Sequence, residues 1–335
     1  MKRTFLILLS CIICLCACSK KSNDDPIVVK PGNNGGTTNK LTGNINGITL
    51  SVGQAQTLTS DDWDALASSK VTDFVIIPKA ASTYGSTETG YKEQLAPVVI
   101  DAINQLAMRR STAKIWIGTP GSIQSIATTS LTPISNYIKY IKGQIGDSKW
   151  KNNIRGIYMN QEAIMGTVDY NNIMTNSQIA LFNDLSTFVH SILGKEFLWI
   201  PYYGYGSDPT SIIKNIAYIA DQTNIFDYVV IQPHYYFDGT VQTNLDGVYN
   251  CVKKQNVCFS DGQPVITKKS KTAIGPEMEL DWHIVPPSAY SAQLSRYLEY
   301  VAKYKEFKTT EPVVFYWDGN VQNALSGRIN LYYKQ

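Results

Sequence analysis

Beyond residue 47 the chain alternates between two hydrophobic periods. Short runs rich in β-branched and aromatic residues fall at 47–52, 73–77, 114–118, 154–160, 197–203, 228–232, 274–281 and 313–317. They read as strands. Between them apolar residues recur every three to four positions, the period of a helix with one buried face. Several helix starts are marked. Ser60 precedes Asp61, Asp62 and Trp63, predicting an N-cap with acids in the first turn. Thr132 puts Pro133 at a first helical position. Thr175 with Gln178 predicts a capping box. It opens a face of Ile179, Phe182, Leu185, Val189 and Ile192, which Gly194 ends. Pro287 and Ser288 lead into Leu294, Tyr297, Leu298 and Val301. Eight such repeats predict an α/β fold with a parallel sheet, closed as a single (β/α)8 TIM barrel over 48–335. A doubly wound open sheet is the alternative, but no Gly-rich phosphate fingerprint follows an early strand.

The first 47 residues follow neither period. Lys2 and Arg3 precede a short apolar run through Phe5, Leu6, Ile7, Leu8, Leu9, Ile12 and Ile13. A bilayer span needs about 20 such residues, so the run reads as a signal peptide over 1–17. It ends in Leu15-Cys16-Ala17-Cys18, which resembles a bacterial lipobox. That resemblance implies cleavage before Cys18, lipidation of its thiol and anchoring to a membrane. An ordinary secretory signal is the alternative. Residues 18–47 contain Pro31-Gly32-Asn33-Asn34-Gly35-Gly36 and few large apolar side chains, and read as a flexible linker. The expected location is the cell envelope, on the periplasmic or surface face of the outer membrane. Cys251 and Cys258 then remain in an oxidising compartment. Within one helix they would be about 10 Å apart, beyond disulfide reach, so a bond requires the helix to end between them. Two free buried thiols are the other possibility.

Composition narrows the function classes. Of 335 residues 44% are hydrophobic and 17% charged, which excludes a disordered chain. The formal charge is +3, and without Lys2 and Arg3 the balance is 28 basic to 27 acidic residues. Such a chain has no electrostatic footprint for nucleic acid. Its 21 Tyr and 6 Trp outnumber 10 Phe, a balance that suits wet clefts better than dry cores.

In a (β/α)8 barrel the chemistry lies at the C-terminal strand ends. Two of these carry acids. The fourth run ends in Tyr158-Met159-Asn160, followed by Gln161 and Glu162, and alternation puts Tyr158, Asn160 and Glu162 on one face. In the seventh, Glu277, Glu279 and Asp281 alternate with Met278 and Leu280, so three carboxyls face the lumen. Carboxyls that close cannot all stay ionised, and at least one pKa rises. Hydrolysis of a glycosidic bond needs two carboxyl groups, one to protonate the leaving oxygen and one to attack or to activate water. Alternatively, Arg155 or Lys79 neutralises the cluster, or the segment is a solvated loop.

Glu162 after strand four and Glu279 on strand seven resemble the layout of the retaining-glycosidase clan built on (β/α)8 barrels. The resemblance implies Glu162 as acid/base and Glu279 as nucleophile. The clan carries Asn directly before the acid/base, whereas here Gln161 stands there and Asn160 one position earlier. Four further pieces, at 156–162, 197–203, 232–237 and 277–281, resemble a Bacteroides-type lipoprotein family of glycosidase-like barrels, a domain-of-unknown-function family. They are Gly156-Ile157-Tyr158 with Glu162, Phe197-Leu198-Trp199-Ile200-Pro201-Tyr202-Tyr203, Gln232-Pro233-His234-Tyr235-Tyr236-Phe237 and Glu277-Met278-Glu279-Leu280-Asp281.

Aromatic residues gather at the same ends. Trp199, Tyr202, Tyr203 and Tyr205 follow strand five, His234, Tyr235, Tyr236 and Phe237 follow strand six, and Tyr316 and Trp317 end strand eight. Sugar rings stack on aromatic faces and bond to Asn, Gln, His and Asp. The expected substrate-binding set is therefore Asn160, Trp199, Tyr203, Gln232, His234, Tyr236, Glu277, Asp281 and Trp317. With only three histidines and no HxH or HExxH spacing, no metal or other cofactor is expected. The reading is a monomeric, lipid-anchored glycoside hydrolase whose partner is an oligo- or polysaccharide. Its rivals are a non-catalytic glycan-binding barrel and a structural or adhesion lipoprotein.

Overall fold

Every β-rich run pairs in parallel with its neighbours in chain order, and the last returns to the first. The computed structural model describes residues 44–53, 58–79, 88–121, 130–164, 166–285, 290–318 and 321–334. The strands are β1 (Asn46–Val52), β2 (Asp73–Pro78), β3 (Lys114–Gly118), β4 (Ile154–Met159), β5 (Glu196–Trp199), β6 (Tyr228–Ile231), β7 (Ala273–Asp281) and β8 (Val313–Asp318). Ile48 of β1 meets Phe74 on one side and Phe315 on the other, which closes the barrel. The outer ring holds α1 (Ser60–Ser68), α2 (Ala96–Arg109), α3 (Leu131–Asn152), α4 (Ser177–Thr187), α5 (Pro209–Ala220), α6 (Thr243–Lys254), α7 (Ser291–Tyr304) and α8 (Val321–Ala324). This is the (β/α)8 barrel that the alternating periods predict. The signal segment, Cys18, Pro287 and Ser288 lie outside the described residues, as does most of the linker. Among the described residues no helix is long and apolar enough to cross a membrane.

The helix starts differ from expectation by one or two residues. Thr59, not Ser60, caps α1, and its backbone and hydroxyl share a capping box with Asp62. Helix α3 begins at Leu131 after Ser130, so Pro133 sits inside the first turn. Asn176, not Thr175, caps α4, its side chain accepting from the Gln178 and Ile179 amides. At α1 and α4 a side chain able to cap lies directly before the expected one and makes the cap instead, whereas Ser130 makes no side-chain cap bond at α3. Gly194 does end the α4 segment, with φ of 62°. Strand β5 stops at Trp199 instead of residue 203, because Pro201 has no amide hydrogen for the ladder. Pairing resumes only as an isolated bridge between Tyr202 and Gln232.

Alternation divides the core into two layers. One packs strands against helices and includes Ile157, Met159, Phe197, Trp199, Met278, Leu280, Phe315 and Trp317. The other fills the barrel with Ile45, Val75, Trp116, Tyr158, Leu198, Ile200, Val230 and Val314. Register slips by one residue between β3 and β4, where Ile115 faces Ile154 and Trp116 faces Gly156. Gly156 is required there, since a Cβ would lie 2.3 Å from both the Trp116 ring and the Glu196 carbonyl oxygen. At the same level Arg155 donates to Asp73 (2.8 Å), Glu196 (2.8 Å) and the Tyr228 hydroxyl (2.9 Å). Burial alone would loosen the guanidinium's hold on its proton. Asp73, Glu196 and Tyr228 outweigh it and hold the pKa above its ordinary value. Cys251 and Cys258 are both buried and free. Gln255, at φ 49°, turns the chain back so that the Cys258 amide donates to Cys251 Sγ at 3.2 Å.

Arg155→Met leaves two buried carboxylates without a cation. It should cost about 3–5 kcal/mol of folding free energy in urea titrations followed by circular dichroism. A loss below about 1 kcal/mol would mean that Asp73 and Glu196 find other partners.

Candidate functional site

The C-terminal ends of β4, β6 and β7 bring Glu162, Gln232, His234, Glu277 and Glu279 together. Just past β4, Asn160 joins two loops, its amide nitrogen donating to the Gly121 carbonyl at 3.1 Å. Gln161 is buried, and Glu162 is half-buried at the mouth. One Glu162 oxygen accepts from the Tyr202 hydroxyl at 2.5 Å, the other from the Gln232 amide at 3.3 Å. Gln232 also donates to the Ile200 carbonyl at 2.9 Å, which fixes its orientation.

Glu277 and Glu279 point inward from β7, only 2% and 1% exposed. Glu279 is surrounded by donors. The His234 amide reaches it at 3.0 Å, and the Tyr300 hydroxyl from α7 bonds its other oxygen. The Tyr236 amide donates to the Tyr300 oxygen at 3.1 Å, so the tyrosine's own proton is directed at Glu279. Among the described residues Glu277 has no hydrogen-bond partner. Burial, then the charges of Glu279 and Glu162, push its pKa well up. Burial also raises Glu279, to about 7, against the lowering effect of its donors. The Glu162 charge adds to both shifts, so the three acids share one field. No lysine or arginine among the described residues appears in that field. Arg155 is held at the opposite end of the barrel, and Lys79 is exposed at the end of β2. Neither neutralises the cluster.

His234 adopts φ 61° and packs at a ring-centroid distance of 3.9 Å on Tyr205, with Tyr202 and Phe237 beside it. Burial lowers its pKa below the ordinary 6.5, so it is neutral near pH 7. Phe237 also meets the Tyr316 ring at 5.9 Å. These rings, not the tryptophans, wall the acids.

Four residues expected to bind substrate lie behind the site. Trp199 is fully buried in the helix-facing layer, stacked at 5.3 Å on Phe226, and its indole N–H donates to the Gln161 carbonyl. It supports the segment that carries Glu162. Tyr203 is fully buried and donates to the Cys258 carbonyl at 2.8 Å. Trp317 is 3% exposed in the same layer. Tyr236 is buried and donates to Asp281 at 2.7 Å. None offers a free ring face. For the two tryptophans period two is the cause, since it sends odd residues of β5 and β8 to the helices and the neighbouring Leu198 and Tyr316 to the barrel. Asp281 too is committed, one oxygen to Tyr236 and the His283 amide, the other at 2.8 Å from His283 Nδ1. Tyr300 carries no signal in the sequence, because one polar tip on a helix face gives no sign of the strand it will reach. Among the described residues no group of three His, Cys, Asp or Glu is arranged to hold a metal ion.

No family model and no curated protein matches the chain. Solved structures resemble it in fold. A GH18 chitinase from Pseudoalteromonas aurantia matches at 9% identity and TM-score 0.45, covering 86% of this chain and 98% of that one. A GH18 chitinase from the chitin utilization locus of Flavobacterium johnsoniae matches at 13% identity and TM-score 0.40, covering 87% and 93%. A GH5-4 broad specificity endoglucanase from an uncultured bacterium matches at 11% identity and TM-score 0.46, covering 83% and 85%. These are distant likenesses of fold alone.

Glu279 makes stability depend on pH. Its folded pKa of about 7 exceeds the ordinary 4.5, so the folded chain holds the proton more tightly. Its contribution is therefore present below pH 4.5 and is lost as pH rises through 7. Its share of the fall between pH 4.5 and 8 is about 3 kcal/mol, read as the difference between wild type and Glu279→Gln in urea titrations at each pH, because the raised Glu277 adds a fall of its own. A flat profile, or one as steep in Glu279→Gln, would remove the titration from this residue.

Proposed function

We propose that the barrel hydrolyses a glycosidic bond with Glu162 and Glu279. The observation that carries the reading is the uncompensated acid cluster: burial, and after it the charge of Glu162, raises the pKa of two carboxyls on β7, and no described cation relieves them. Their donor environments suit different roles. Glu279 accepts from a fixed backbone amide and a directed hydroxyl, groups that favour an ionised carboxylate. Glu162 faces the Tyr202 hydroxyl, which can rotate to donate or accept and so tolerates either protonation state. Glu162 would pass its proton to the leaving oxygen while Glu279 attacks the anomeric carbon and the glycosidic bond breaks. Water, giving its proton to Glu162, would then displace Glu279 and restore both groups. Glu277 would keep its proton, and Asn160, Gln232 and His234 would meet sugar hydroxyls.

A non-catalytic glycan-binding barrel has one observation in its favour, that Glu279 is 1% exposed with both oxygens occupied. Screening poly- and oligosaccharides separates the two. Glu162→Gln and Glu279→Gln should each lower kcat about a thousandfold on the glycan that the wild type cuts. Azide should restore turnover to Glu279→Ala, yielding a glycosyl azide. Glycans bound equally by all forms and cut by none would make the barrel a binding module.

The location is likewise a proposal, supported by the charged start, short apolar run and Cys18 of the leader. Replacing Cys18 by Ser should move the chain from the membrane to the soluble fraction. An unchanged distribution would leave it without a lipid anchor at that thiol.

A further inference from the structure

Most exposed aromatic side chains among the described residues lie at one end of the barrel. Tyr205 and Phe237, 37% and 41% exposed, stand beside the acids. Trp282 and Tyr290 stand outside them and are more open, at 51% and 52%. Only Tyr140 of the large exposed aromatics is on α3, away from this end. Trp282 follows directly on β7, the strand that carries Glu277 and Glu279. One face of its indole stacks on His283, with centroids 3.7 Å apart and planes 25° apart. Tyr290 meets both rings edge-on, at 6.0 Å from Trp282 and 4.8 Å from His283. The stack is fixed from below. Asp281, 8% exposed, binds the His283 amide at 3.0 Å and Nδ1 at 2.8 Å, and is itself held by Tyr236. The Tyr290 amide donates to the His283 carbonyl at 2.9 Å.

A half-exposed tryptophan is costly to leave in water, and here a buried acid and a histidine are spent on orienting it. A structural role would turn the ring inward, as for Trp199. Two residues of extended strand put Asp281 about 7 Å beyond Glu279, with Trp282 farther still. That is too far for a ring seated between the carboxyls to touch both. On the reading that the acids cleave a glycan, we infer that Trp282 and Tyr290 form a separate outer subsite, stacking a second part of the same chain. The substrate is then an oligo- or polysaccharide running from the acids across the end of β7. Asp281 acts there as a positioning residue for His283 and the indole, not as a sugar ligand.

The test uses the full chain carrying Glu162→Gln, so that ligands stay uncut. It is probed with α- and β-linked gluco-, manno-, xylo-, galacto- and chito-oligosaccharides of two to six units. Binding should tighten with chain length. Adding Trp282→Ala should weaken the longest bound oligomer about five- to tenfold and leave the shortest unchanged. Asp281→Asn should give a smaller loss of the same length dependence, since Asn keeps an acceptor for the His283 amide. Equal length dependence with and without Trp282 would overturn the subsite while leaving the hydrolase reading intact. Retention of none of these probes would overturn both. Circular dichroism of the Trp282 variant checks its fold, and the side chain's exposure predicts no loss.

Discussion

The Arg155 guanidinium organises the charges at one end of the barrel. It is buried with Asp73 and Glu196 at the level where β3 and β4 slip register, and both ion pairs are 2.8 Å long. A buried cation leaves water at a cost of several kcal/mol, which only close partners offset. Once committed there it cannot serve the opposite mouth. Glu277 and Glu279 of β7, buried and without a cation among the described residues, repel one another and Glu162, and both pKa values rise.

The site also depends on packing that never touches it. Trp199 holds the Gln161 carbonyl, and through it the segment that presents Glu162. Tyr300 reaches from α7 to Glu279 while accepting the Tyr236 amide. Tyr236 in turn holds Asp281. Several aromatics with polar tips thus act as struts, burying their rings among the helices and spending one hydrogen bond each on a strand end. This accounts for much of the tyrosine excess, which from composition alone suggested a wet cleft. Among the described residues the open faces at this end of the barrel belong to fewer rings, namely Tyr205, Phe237, Trp282 and Tyr290.

The sequence by itself determined the strand and helix order, because periods of two and of three to four residues follow from backbone geometry and need no partner. The runs at 73–77, 114–118 and 313–317 emerge within one residue of β2, β3 and β8. It also placed acids on β7 and after β4, and alternation put the three acids of β7 on one shared face. Only the tertiary structure decided which rings at those ends are open. Trp199 and Tyr202 are three residues apart, yet one lies under Phe182 and Phe226 while the other holds Glu162. A strand's period says that neighbours diverge, but closure of the barrel decides which side is lumen and which is helix. The partners of Glu279 come from α7 and the loop after β6, tens of residues away in the chain. Contacts over that range are set by how helices and strands pack, and no local pattern encodes them.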